Sequence, residues 1–137
     1  MRSALFVAVV LSGALGLVSC GPPKLITPVP EIPKLATLTE VMDNQATTAD
    51  PQFKKMGNDT FTDEDFTGFA QASERLLATS LKMKDFSKGD EFNALAMKVH
   101  DQADALGKAA SAKDGKAAAA ALKEMKAACK ECHSKFR

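Results

Sequence analysis

Cys129-Lys130-Glu131-Cys132-His133, near the end of this 137-residue chain, combines residue types and spacing suited to one chemistry. Two thiols three positions apart can each add to a vinyl group of one porphyrin. The histidine that follows at once can ligate the iron from the same side. Cys-x-x-Cys-His therefore reads as an attachment sequence for c-type haem, one per chain and covalent, with one axial ligand supplied. Other uses of Cys-x-x-Cys stay open at this point. A structural zinc site needs four ligands, and beyond the motif the chain offers only Cys20 and His100. A redox dithiol wants a strand before it and a helix starting at it, because a helix N-terminus lowers the thiol pKa. Here the motif closes a long helical stretch.

The elements that position this motif begin with an export signal. Met1-Arg2-Ser3 is a short basic start, and Ala4 to Val18 is apolar apart from Ser12, Gly13 and Gly16. That pattern is too short and wrongly flanked for a stable membrane span; an uncleaved anchor is the alternative. Leu17-Val18-Ser19-Cys20 resembles the bacterial lipobox. The resemblance implies cleavage before Cys20, removal of residues 1–19 and acylation of the cysteine. Two or more acyl chains anchor a protein stably. Export suits the haem, since bacteria attach c-type haem outside the cytoplasm. Gly21 after the lipid cysteine leans towards the outer membrane, with the inner membrane still open. The three cysteines then divide into one for lipid and two for thioethers.

Residues 20–33 hold five of the six prolines. Such a segment disfavours helix and favours extended polyproline II, which predicts a semi-rigid tether between membrane and domain. Residues 34–137 fit one small domain. Without Arg2 the mature chain has 17 basic (18 minus 1) and 17 acidic residues. There is no basic stripe, Trp or Tyr, which argues against a nucleic-acid partner.

The domain reads as helix throughout. Leu35, Leu38, Val41, Met42, Gln45, Ala46 and Ala49 form a first stripe, and Asp50-Pro51 is expected to end or kink that helix. A second helix opens at Thr62, a capping residue followed by acids, and carries Phe66, Phe69, Leu76 and Leu77. Ser87 to Asp90 breaks the chain before a third helix with Phe92, Leu95, Val99 and Leu106. Lys113-Asp114-Gly115 is a turn, with Asp114 the cap of a fourth helix. The Ala117–Ala121 run brings strong helix propensity and little bulk, allowing close helix approach. Short turns between four helices predict an all-α fold, an antiparallel four-helix bundle.

The C-terminal stretch Lys123-Glu124-Met125-Lys126-Ala127-Ala128-Cys129-Lys130-Glu131-Cys132-His133-Ser134-Lys135-Phe136-Arg137 is similar to that of the class II cytochromes c, which include cytochrome c prime and its low-spin relatives. The resemblance covers the helical domain and is specific in its last twenty or so residues. It implies that Cys129 and Cys132 bind haem covalently and that His133 is the proximal ligand. It further implies that Phe136 packs against the haem or the first helix, and that Arg137 sits near a propionate or the proximal imidazole. In the family the first helix covers the distal face. A methionine there gives a low-spin iron suited to electron transfer; an apolar residue leaves the iron five-coordinate and able to bind nitric oxide or carbon monoxide.

Met42 lies on the first-helix stripe and is the candidate distal ligand, with core packing as its other use. Leu35 and Leu38 are the candidates for an open distal pocket. Met56, Met83, Met97 and Met125 are poorer choices by position, and His100 reads as a boundary histidine. The expected function is one-electron transfer between exported redox proteins by a lipid-anchored cytochrome, with gas binding as the alternative. Lys130 and Lys135 are the expected docking cations. Outside the haem no nucleophile–base pair, phosphate loop or carboxylate pair indicates an enzyme. Many members of the family pair through their first two helices, so a homodimer is a further expectation.

Overall fold

The computed structural model describes residues 26–137. Cys20, the signal segment and the expected cleavage site lie outside the described residues. Within them the chain is all-α: α1 (Leu38–Phe53), α2 (Asp63–Met83), α3 (Asp90–Ala112) and α4 (Gly115–Phe136), with short 3-10 turns at Val29–Lys34 and Lys84–Phe86. α1 packs on α2, α2 on α3, α3 on α4, and α4 returns to α1, closing a four-helix bundle.

Local chemistry sets the starts of these helices. The Thr37 hydroxyl accepts from the Glu40 N–H at 3.2 Å, and the Glu40 carboxylate accepts from the Thr37 N–H at 2.9 Å, a reciprocal capping box. Thr62 and Asp65 repeat the device at α2. Asp114 caps α4, accepting from the Ala117 N–H at 2.9 Å, as its place in the turn predicts. Gly89 precedes α3 with φ 110°, a conformation that L side chains rarely adopt.

Asp65 does a second task. Lys55 lies 2.8 Å from its carboxylate. This ion pair and the Thr62 N–H hold its pKa down to about 2, against 3.8 for an ordinary Asp. A depressed carboxylate stabilises the fold fully above its unfolded pKa and loses that contribution as pH falls through the folded value. Asp65→Asn is therefore expected to lower stability at neutral pH and to flatten the acid-unfolding profile between about pH 4 and 2. Melts across that window that keep the parent slope would contradict the assignment.

The core forms two clusters. The larger runs through Phe66, Phe69, Leu76, Leu106, Leu122 and Met125. The smaller gathers Val41, Met83, Phe92, Leu95, Ala96 and Cys132 at the end where α4 finishes. Small residues bring the helices close. Ala109, Ala110, Ala118 and Ala121 are all buried between α3 and α4, in keeping with the reading of the alanine run. At Gly107 an added Cβ would lie 2.4 Å from the Ser73 hydroxyl, which itself donates to the Ala103 carbonyl at 2.6 Å.

Two expectations need correction. The first helix begins at Leu38, not Leu35, because the Thr37–Glu40 box starts it. At Pro51 the helix runs on for two residues and ends at Phe53, which is partly buried against the larger core cluster. The proline-rich segment is not an extended spacer over its last residues. Val29–Lys34 is a 3-10 turn packed on α2, with Ile32 fully buried.

Candidate haem site

α1, the end of α2, the first half of α3 and the C-terminal half of α4 enclose a cleft of about 700 Å³. That volume falls in the range of small-molecule and cofactor sites. Its walls are mainly apolar: Leu38, Met42, Phe53, Leu76, Met83, Phe92, Leu95, Val99, Met125 and Phe136 all face it. Cys129, Cys132 and His133 line it from α4, the direction a 3.6-residue helix gives to positions three and four apart. The bundle thus brings the motif residues and Met42 to one cavity. Leu38 and Arg137 join them, and Leu35 does not; it packs beside Leu38 against the smaller core cluster.

The two cysteines are free thiols, one half-buried and one buried. Burial pushes the Cys129 thiol up to about 11, with Cys132 and Asp50 adding repulsion. Burial also raises Cys132, against the opposing charge of Lys88. Both are therefore neutral thiols at physiological pH, unlike the acidic cysteines of redox dithiols. Among the described residues no cluster of three or more His, Cys, Asp or Glu forms a metal site of another kind. His133 is exposed at the lip of the cleft. Phe136 stacks edge-on against Phe92 of α3, ring centroids 5.4 Å apart, and its carbonyl accepts from Lys88 Nζ at 3.0 Å. The family-based expectation placed Phe136 on the haem or the first helix; Phe92 is its closest ring partner. Lys88 and Arg137 put two cations on the cavity wall, where the carboxylates of a porphyrin would need them.

Among the lining residues to which the sequence assigns no place at the site are Met83 and Lys88. Met83, a poorer choice by sequence position, faces the cleft and is 3% exposed. The Gln45 side-chain amide, also buried, donates to its sulfur at 3.3 Å. Met83 is the last residue of α2, and a stripe calculated for a helix interior says little about a terminal residue beneath a crossing helix. His100 stands outside the cleft, with Nδ1 3.4 Å from Asp101. Lys135 is held by Glu91 and Glu131, and Glu131 also meets Lys98 at 3.3 Å, so its charge is locally balanced. Of the two expected docking cations, only Lys130 stands clear of this network.

An apolar cleft, two neutral thiols at haem-attachment spacing, an adjacent imidazole and a facing thioether form a donor set that fits covalent haem. The comparisons agree. The family described as Cytochrome C' matches residues 33–137. A cytochrome c' from Pararhodospirillum photometricum is 39% identical over 69 residues, 50% of this chain and 55% of the relative. The chain thus spans about half the length of the curated relative it matches. No solved structure matches significantly. With its cleft, its C-terminal Cys-x-x-Cys-His and a match over residues 33–137, the chain belongs to the cytochrome c' family and carries one covalent c-type haem.

Proposed function

We propose that this protein is a lipid-anchored carrier of single electrons outside the cytoplasm. Cys129 and Cys132 bear the haem, His133 is the proximal ligand, Met42 the distal one, and exported redox proteins are the donor and acceptor. The observation that carries the reading is Met42 itself: it lies on α1 and faces the cleft opposite the α4 thiols and imidazole. When bound, the haem supplies an Fe(III)/Fe(II) couple, and thioether ligation raises its potential.

The chain's own part is to hold and shield that group. Leu38, Phe92, Leu95 and Val99 keep water from the apolar faces. Gln45 engages the Met83 sulfur by its hydrogen bond, and Met125 stands on α4 one turn before Cys129, so Met42 is the thioether offered from α1. Lys88 and Arg137 stand ready for carboxylates at the cleft wall.

The second reading is a five-coordinate haem that binds nitric oxide or carbon monoxide. The family name favours it, and Leu38 beside Met42 is the apolar side chain that would cap such a site.

Visible spectra of the haem-loaded protein, oxidised and reduced, separate the two. Low-spin bands with a sulfur-to-iron charge-transfer feature that disappears in Met42→Ala, and no response to carbon monoxide in the parent, are expected. High-spin bands in the parent that shift with carbon monoxide would assign Met42 to the core and make gas binding the function.

A further inference from the structure

The residues before α1 are fastened to the bundle. The Thr27 N–H donates to Asn44 Oδ1 at 3.0 Å, and Asn44 Nδ2 donates back to the Thr27 hydroxyl at 3.2 Å. The Arg75 guanidinium of α2 donates to the Thr27 carbonyl, and Lys82 Nζ donates to the Pro33 carbonyl at 2.7 Å. Between these points Ile32 is 0% exposed. The segment is thus a strap, gripped by two cations of α2 and by one amide of α1.

α1 needs such a grip more than its neighbours. Towards α4 much of it lines the cleft, and its direct packing there is confined to its last turns, around Ala49 and Phe53. Its buried residues are Val41, Asn44, Gln45, Thr48 and Ala49, a set that is mostly polar or small. Apolar burial is non-directional and leaves a helix free to slide or turn. Hydrogen bonds depend steeply on distance and angle and so hold one rotation and register. Asn44, 5% exposed, is two residues beyond Met42. At 3.6 residues per turn these two positions lie on nearly opposite sides of the helix. The strap therefore holds α1 from behind while Met42 faces the cavity.

We propose that the Thr27–Asn44 clasp sets the position of α1 over the haem cleft, which makes Thr27 and Asn44 positioning residues for the sixth coordination position. In its spectroscopic form this rests on Met42 as distal ligand. Loosening the clasp raises the fraction of molecules in which α1 has moved and the distal position is open. Apparent affinity for an external ligand rises in proportion to that fraction.

The test uses the full-length, haem-loaded protein and carbon monoxide as probe. Asn44→Ala is expected to raise the carbon monoxide affinity of the reduced protein about tenfold and to add a high-spin component to the oxidised spectrum. Arg75→Gln, which weakens the strap without touching α1, moves both readouts in the same direction by less. Thr27→Ser keeps the hydroxyl and matches the parent. If Asn44→Ala fails to mature, Arg75→Gln carries the test. Should both variants lower the unfolding midpoint yet leave spin state and carbon monoxide affinity unchanged, the strap is a stability element only and the proposal is overturned. A parent protein that is high-spin from the outset removes Met42 as ligand but not the clasp. In that case a change in carbon monoxide affinity of about fivefold or more on loosening it, the lower end of typical coupling between sites, still supports the proposal, and no change sinks it.

Discussion

Replacing Cys129 and Cys132 together with Ala is expected to abolish covalent haem: none should remain with the polypeptide on a denaturing gel stained for haem. The spacing of the pair and their shared cavity leave no other thiol within the described residues to take over. The effect extends beyond the cofactor. Leu38, Met42, Phe92 and Phe136 line the cleft, and a group that binds the folded state alone stabilises it by mass action. The double variant should thus melt earlier as well as lack colour. Cys20→Ala is the complementary change: haem content stays at the parent level while the protein moves from the membrane to the soluble fraction. Haem retained covalently in the Cys129/Cys132 variant would refute the attachment site, and membrane association retained in the Cys20 variant would refute the lipid anchor.

Phe69→Ala should give the largest loss of stability of any single core truncation, with no change in the haem spectrum. Phe69 is 0% exposed, with ring centroids 5.1 Å from Phe61 and 6.0 Å from Phe66, both edge-on. Lys55 Nζ sits 5.6 Å over its ring. Truncating a buried Phe costs about 3–5 kcal/mol, and lost edge-to-face contacts add to the local damage. Against a typical domain stability of about 5–15 kcal/mol, that is a third or more of the total. Phe69 does not line the cleft, so denaturant melts should shift strongly while the visible bands hold their positions. A spectrum that changes along with the melt would mean that the loss at Phe69 reaches the haem through Leu76, Val99 and Met125, which belong to its cluster and line the cleft.

The sequence made the haem end of the fold legible because covalent chemistry demands a fixed spacing. The cap residues Thr62 and Asp114 were legible for a similar reason: a helix start exposes N–H groups that a short oxygen-bearing side chain satisfies locally. Thr37 and Glu40 carry the same signal. An apolar stripe extended back to Leu35 hid it. The places where reading failed depend on distant partners. Whether Ile32 is buried is decided by α2, and nothing within the proline-rich run announces that. Met83 joins the cleft because α1 crosses above the end of α2, a relation no periodicity encodes. Gln45 sat on the predicted stripe as one more core position, and only its neighbour shows that its amide has a task. The local preference at Asp50-Pro51 marks the neighbourhood of the helix end but not its residue: α1 runs on to the partly buried Phe53.

Under the proposed lipid anchor, the strap would also limit how far the protein can travel. With acyl chains on Cys20, a free tether up to Pro33 would give thirteen Cα steps (33 minus 20) and, fully stretched, a reach of about 45 Å. Fastening at Thr27 leaves seven steps (27 minus 20) and a reach of about 25 Å, on the order of the width of the bundle itself. The haem would then search a thin layer along the lipid surface rather than the aqueous space beyond it. Collision frequency in such a layer follows the surface density of partners and their lateral diffusion, so the proposed electron exchange would be fastest with proteins that are themselves held at the same membrane.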